Sequence, residues 1–142
     1  MRRLILTVLV ALFIAGCSTV PVYRGPSSDQ PSAILRFQPL EGWGNIGNSA
    51  VGLVSINGEV LSSWRLTNTI RINQGINTLD VKGFSPDGQT KAYAELILDV
   101  KAGENYLVKK EDEIEDLHFM IVDSEGNIVV EARGQKKPMT NE

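Results

Sequence analysis

Apolar and polar side chains alternate along several short segments of the chain. The alternation is regular over residues 69–72, 94–100 and 128–133, and weaker over 77–82. A period of two places the apolar residues on one face of a β-strand. Residues 117–122 are apolar at almost every position, which predicts a strand that is covered on both faces. No helical periodicity is sustained after Cys17.

Residues that favour tight turns separate these segments. Asn57-Gly58 lies between residues 51–56 and residues 59–65, and this dipeptide favours a two-residue hairpin whose residues both have positive φ. Further turn signals fall at residues 73–75, 86–88, 102–104 and 124–127. We therefore predict an all-β fold, a single antiparallel β-sandwich of about eight or nine short strands over residues 32–134.

The N-terminus has a different pattern. Met1-Arg2-Arg3 is positively charged, and an uncharged apolar run follows over residues 4–14. This run is shorter than the roughly 20 residues of a membrane-spanning helix, and the layout is typical of a secretory signal peptide. The next residues, Ile14-Ala15-Gly16-Cys17, resemble the lipobox of bacterial lipoproteins.

The lipobox resemblance implies that residues 1–16 are a signal peptide cleaved before Cys17. It also implies a diacylglycerol on the Cys17 thiol and an acyl chain, such as palmitate, on the new amine. Two or three chains give a stable anchor, whereas one is marginal. The alternative is an ordinary signal peptide beside an incidental cysteine, although Cys17 is the only cysteine of the chain.

The residue after Cys17 bears on location. Ser18 stands where an Asp favours retention in the inner membrane among Gram-negative lipoproteins. The resemblance therefore implies an outer-membrane anchor with the domain in the periplasm, and leaves the inner membrane and the cell surface open.

Two segments flank the predicted domain. Residues 17–31 are rich in Pro and Ser and are predicted to form a lipidated N-terminus and an extended linker. Residues 135–142 lack apolar periodicity and are predicted to be a disordered tail. Because an acidic domain is repelled by an anionic membrane, we expect the linker to hold the domain away from the bilayer.

The order of motifs carries a second resemblance. Residues 54–60, 70–79 and 94–108 combine an Asn-Gly turn, a Gly-containing turn and a strand followed by Ala102-Gly103-Glu104-Asn105-Tyr106. This order is similar to small β-sandwich domains of uncharacterised bacterial lipoproteins, related in style to PEGA domains. Gln74 stands where that pattern has a Pro. The resemblance implies a fold and no catalytic site.

Composition excludes several function classes. The chain has 142 residues with a formal net charge of −3, which argues against a nucleic-acid binder. One cysteine and one histidine exclude an internal disulfide framework and a Cys/His zinc site. We expect no cofactor and no bound metal.

A glycine-rich segment, Gly42-Trp43-Gly44-Asn45-Ile46-Gly47, matches G-x-G-x-x-G. A dinucleotide site needs a helix directly after this motif, but the following residues have a strand pattern. The segment is better interpreted as a connection between strands. Trp43, with Gly44 and Asn45, is then a candidate contact for a partner, a small ligand or a glycan.

Residues 111–116 contain five carboxylates, which suggests a Ca²⁺ site. No glycine bend is present and Lys109 and Lys110 lie alongside, so a solvated loop between two strands is favoured. A basic patch on a partner is the alternative.

His118 has Asp116, Asp123 and Ser124 near it in sequence, which makes a Ser–His–Asp triad conceivable. Because neighbouring side chains of a strand alternate between faces, a partly buried strand histidine is favoured. The aromatic residues on predicted strands are expected in the core or in cross-strand pairs; they are Trp64, Tyr93 and Tyr106.

These observations lead to one main hypothesis: a membrane-anchored periplasmic lipoprotein that acts as a non-enzymatic interaction or structural module of the envelope. We expect an envelope protein as its partner. The alternatives are an accessory subunit of an envelope secretion or assembly machine, and a lipoprotein that binds a small ligand or glycan.

Overall fold

The computed structural model of the chain describes residues 21–40, 50–61 and 69–139. In these ranges the chain forms ten strands and no helix, so none of the described residues belongs to a helix that could cross a membrane. The strands are β1 (Ser32–Phe37), β2 (Val51–Ile56), β3 (Glu59–Val60), β4 (Thr69–Asn73), β5 (Gly75–Phe84), β6 (Thr90–Val100), β7 (Asn105–Asp112), β8 (Asp116–Val122), β9 (Ile128–Gln135) and β10 (Lys137–Pro138).

The strands form two five-stranded sheets with a shared apolar core. Sheet I has the order β4-β1-β7-β8-β9, and sheet II has the order β10-β6-β5-β2-β3. This arrangement confirms the predicted all-β sandwich. One pair departs from the antiparallel expectation, because β1 and β7 run parallel. The alternation of apolar and polar residues shows which face of a strand is buried, but it does not show whether the neighbouring strand runs parallel or antiparallel.

The buried positions follow the alternation of the sequence. On β6, Leu96, Leu98 and Val100 are buried while the residues between them are exposed. On β8, Phe119 lies in the core between the sheets, and Met120 is 2% exposed although it lies outside that core cluster. The prediction that residues 117–122 are covered on both faces is therefore confirmed.

The predicted hairpin at Asn57-Gly58 is also confirmed. Asn57 has φ of 52° and Gly58 has φ of 78°, as a two-residue turn with a right-handed strand twist requires. The second strand of the hairpin, β3, has only two residues, whereas the sequence predicts a strand over 59–65. Residues 62–68 lie outside the described ranges.

Two of the predicted turns transfer the chain between the sheets. β4 belongs to sheet I and β5 to sheet II, and Gln74 alone separates them. Residues 101–104 carry the chain back from β6 to β7 in sheet I. A glycine with positive φ lies at each transfer: Gly75, the first residue of β5, has φ of 103°, and Gly103, in the second connection, has φ of 81°.

The folded part extends beyond 32–134 at both ends. Tyr23, in the segment predicted as a linker, is only 8% exposed and belongs to the core cluster. Lys137 and Pro138, in the segment predicted as a disordered tail, pair with Lys91 and Thr90 of β6. Both contacts join parts of the chain that are distant in sequence, so no local sequence pattern indicates them.

Candidate functional site

The two side edges of the sandwich are built differently. At the β3/β4 edge, the Tyr23 backbone N–H donates to the Val60 carbonyl at 2.9 Å, and the Tyr23 hydroxyl donates to the Arg71 carbonyl at 2.8 Å. Val60 lies on sheet II and Arg71 on sheet I. Tyr23 therefore bridges the sheets and closes this edge.

The opposite edge is formed by β6 and β9. Within the described ranges, β9 pairs only with β8, and β6 pairs with β10 only at Thr90 and Lys91 on the side away from β5. The two strands approach each other very closely at Gly134, where an added Cβ would lie 2.3 Å from the carbonyl oxygen of Tyr93. Glycine is therefore required where β9 crosses β6.

Away from this crossing, β6 and β9 leave a cleft of about 540 Å³, which we call the edge cleft. Ile97 of β6 and Val129 of β9 line its walls and are 56% and 43% exposed. Two buried core residues, Leu98 and Tyr106, also line it. The edge cleft therefore offers apolar side chains beside two incompletely paired strand edges.

The edge cleft is negatively charged. Four carboxylates and one cation line it: Asp99, Glu104, Asp123, Glu125 and Lys101. Among the described residues, no Lys, Arg or His nitrogen lies within 4.0 Å of these carboxylates. Hydrogen bonds from the backbone N–H and the side-chain amide of Asn127 lower the pKa of Asp123. Its charge is therefore maintained at neutral pH.

His118 does meet carboxylates, but they are not those of the conceivable triad. Its Nε2 lies 2.8 Å from Oε2 of Glu131, and its Nδ1 lies 3.9 Å from Oε1 of Glu113. Ser124 instead lies beyond the other end of β8, about 20 Å along a strand at 3.3 Å per residue, and its hydroxyl is 3.4 Å from Glu104. His118 is therefore a strand residue that is hydrogen-bonded to Glu131, with a side chain that is 13% exposed.

The acidic run 111–116 is a short, largely solvent-exposed connection between β7 and β8, as the sequence predicts. Glu111 and Asp112 belong to β7 and Asp116 belongs to β8. Lys136 pairs with Asp112, and Arg133 pairs with Glu113. Cross-strand cations thus neutralise part of the run, and no group of residues within the described ranges has the arrangement of a metal site.

The strand aromatics occupy different environments. Tyr106 is buried, and its hydroxyl accepts the Lys101 N–H at 3.1 Å. Tyr93 is 50% exposed on the outer face of sheet II, directly opposite Lys82, with the Lys91 ammonium 6.0 Å from its ring. Trp64 lies outside the described residues.

The other candidate site residues cannot be placed by the structure. Cys17, Trp43, Gly44 and Asn45 all lie outside the described residues, so their roles stay predictions. The alternation of apolar and polar residues does not indicate the edge cleft, because a strand's position at a sheet edge depends on which strands pair with it. One signal was present: Ile97 interrupts the polar face of β6, which otherwise carries Glu95 and Asp99.

Comparisons with known proteins identify no similar protein. No family model matches the chain, and no curated protein or solved structure matches it. The resemblances to lipoproteins and to PEGA-like domains therefore stay predictions from the sequence.

Proposed function

We propose that this chain is a lipid-anchored lipoprotein of the bacterial envelope whose β-sandwich is a non-enzymatic interaction module. The anchoring rests on the lipobox-like residues Ile14-Ala15-Gly16-Cys17 behind an apolar leader. The interaction role rests on the edge cleft, where apolar side chains and incompletely paired strand edges lie together.

The docked N-terminal segment supports a specific placement of the domain. The Val60 N–H donates to the Pro21 carbonyl at 2.9 Å, and Tyr23 is buried beside it. Four residue steps separate Cys17 from Pro21, which span about 14 Å at most. The sandwich is thus held close to the bilayer at its β3/β4 edge, closer than a linker over 17–31 would hold it, and the edge cleft opens on the other side.

The anchoring is tested by comparing the native chain with Cys17→Ala after expression with a clickable palmitate analogue. We expect the native chain to sediment with membranes and to carry the label, and the variant to lose both. Ser18→Ala is the matched control, because it changes the neighbouring residue and leaves the thiol. Unlabelled native chain, or a Cys17→Ala variant that stays in the membrane through carbonate washing, would refute the anchor.

The membrane assignment needs a separate test. We place the protein at the outer membrane, facing the periplasm, because Ser18 follows Cys17. In a Gram-negative host, density-gradient separation is expected to find the native chain in the outer-membrane fraction and Ser18→Asp in the inner-membrane fraction. Native chain in the inner-membrane fraction would contradict this placement.

A more specific form of the proposal is an accessory subunit of an envelope assembly. The observation that favours it is the open β6 edge, because proteins with an exposed sheet edge can recruit a partner strand. Crosslinking in intact cells is expected to give one stoichiometric envelope partner. A native chain that crosslinks to no protein would support a solitary module instead.

A further inference from the structure

We propose that the edge cleft binds an extended segment of a partner protein in which apolar residues alternate with Lys or Arg, and that this segment adds as a strand to β6. This inference rests on the proposed interaction role and identifies its surface and the chemistry of its partner.

The β6 edge is the more regular of the two. Its pairing with β5 runs without a register shift from Gly75↔Val100 to Phe84↔Lys91. The pairing of β9 with β8, in contrast, shifts between Ile121 and Val122, where Val129 is the additional residue. A regular edge presents evenly spaced backbone donors and acceptors, whereas a bulge interrupts them. An added strand therefore fits β6 better than β9.

The chain already uses part of this edge. β10 pairs antiparallel with Thr90 and Lys91 at the start of β6, and the crossing of Gly134 over Tyr93 occupies the next position. The remaining part of β6, residues 94–100, has no strand partner on this side within the described ranges, and Ile97, Leu98 and Asp99 of this part line the edge cleft. At about 3.3 Å per residue, this length accommodates an extended segment of about six residues.

Side chains of the edge cleft define what the segment must carry. Ile97 and Val129 provide apolar contacts at the walls. Asp99, Glu104 and Glu125 provide negative charge without a cation within 4.0 Å among the described residues. Ile97 and Asp99 share the outer face of β6. Because side chains of a strand alternate between two faces, apolar residues of the segment can face Ile97 while its Lys or Arg residues, on the opposite face, reach Glu104 and Glu125.

The same charges disfavour a second copy of this chain as the occupant. If two copies of β6 paired antiparallel about Ile97, Glu95 of one copy would lie opposite Asp99 of the other. Like charges directly opposite one another destabilise a sheet. The charge of the edge thus selects a basic partner over self-association.

The test uses the full chain as it is expressed, purified in a non-ionic detergent, and two fluorescent ten-residue peptides, one alternating Val with Lys and one alternating Val with Glu. We expect saturable binding of the Val-Lys peptide, measured by fluorescence anisotropy, and none of the Val-Glu peptide. Amide hydrogen exchange in the complex should show new protection at residues 94–100. Protection located elsewhere, or equal binding of both peptides, would overturn the proposal.

Two variants with matched controls locate the binding. Ile97→Lys should weaken binding of the Val-Lys peptide about tenfold. Ile114→Lys should not weaken it, because Ile114 is 96% exposed in the connection between β7 and β8 and does not line the edge cleft. Glu104→Gln combined with Glu125→Gln should also weaken it. Glu111→Gln with Glu115→Gln removes equal charge outside the edge cleft and should have a smaller effect. Equal loss in both double variants would show non-specific attraction and overturn the proposal.

The remaining outcomes are also decisive. If Ile97→Lys does not fold, as judged by circular dichroism, the two double glutamate variants decide. A native protein that dimerises in solution and becomes monomeric on Ile97→Lys substitution would assign the edge to a second copy and refute a basic partner. The peptide assay does not depend on lipidation, so failure of the anchor and failure of the edge cleft are separately visible.

Discussion

Gly134 lies where β9 crosses β6, at the open side of the sandwich. A Cβ at this position would lie 2.3 Å from a backbone oxygen of Tyr93, which cannot move without displacing β6. We expect Gly134→Ala to lower the free energy of unfolding by about 3 kcal/mol, measured by urea denaturation.

Gly52→Ala is the control for this prediction. Its added Cβ would meet only the flexible Lys82 side chain, at 3.0 Å from Cε, so we expect a change within about 1 kcal/mol. Equal stability of Gly134→Ala and Gly52→Ala would contradict the close approach of β9 to β6 at Gly134.

Tyr23 yields a prediction about pH. Burial, and secondarily the carboxylate of Glu59, raise the pKa of Tyr23 above its usual value of 10.0. A raised pKa means that the folded state holds the hydroxyl proton more tightly than the unfolded state does. The protonated Tyr23 therefore adds its full contribution to the free energy of unfolding below pH 10, and this contribution is lost as the pH rises through the pKa of the folded state.

The variant Tyr23→Phe isolates this contribution. It removes the hydroxyl that donates to Arg71 and should cost about 1 kcal/mol at neutral pH. Urea denaturation across the alkaline range should show the stability difference between the native chain and Tyr23→Phe shrinking above pH 10. A difference that stays constant there would place the hydroxyl in solvent.

At the residue scale, sequence predicts burial better than it predicts partners. The alternation places Leu96 and Leu98 inside correctly, because burial follows from the face of the strand. The roles of Tyr23 and Gly134 depend on contacts with distant strands. Nothing in the residues beside them indicates those contacts.

At the scale of elements, the β2–β3 hairpin is the best-determined local structure. Asn57 combines a positive φ with two side-chain hydrogen bonds: its Nδ2 donates to Oδ1 of Asn77 at 2.9 Å, and its Oδ1 accepts the Thr78 backbone N–H at 2.8 Å. Asn77 is 3% exposed. The turn therefore stabilises β5 as well as its own strands.

Two substitutions separate the contribution of the side-chain hydrogen bonds of Asn57 from that of its positive φ. Asn57→Gly keeps the backbone conformation and loses both hydrogen bonds, so we expect a loss of about 2 kcal/mol in the free energy of unfolding. Asn57→Ala also meets the penalty of positive φ and should lose about 1 kcal/mol more. Denaturant titration checks this order, and an Asn57→Ala variant as stable as Asn57→Gly would contradict it.

Turn chemistry predicts where strands end but not which sheet comes next. The turn at Asn57-Gly58 returns the chain to the same sheet, whereas the turns at residues 73–75 and 102–104 move it to the other sheet. The same residue types serve both purposes. For this reason the fold class is predictable from the sequence, whereas the strand order and the edge cleft are not.

At the scale of the whole molecule, the short connection to the proposed anchor predicts an orientation. In sheet II, β3 and β6 are three strand positions apart, or about 14 Å at the usual spacing. A donor dye on Glu59→Cys should transfer energy to acceptor lipids more efficiently than one on Glu95→Cys, with Cys17 blocked by its lipid.

A long flexible insertion after Ser18 is the control for this orientation. It should lower the transfer from both dye positions and reduce the difference between them. Equal transfer from both positions in the native chain would show that the sandwich is not oriented by the docking of Pro21 and Tyr23.

The most direct test of the central claim is the intact mass of the protein extracted from membranes of its native host. The account predicts a chain that begins at Cys17 and carries a diacylglycerol and an N-terminal acyl group. A chain that retains residues 1–16, or one with an unmodified Cys17, would contradict the lipid anchor.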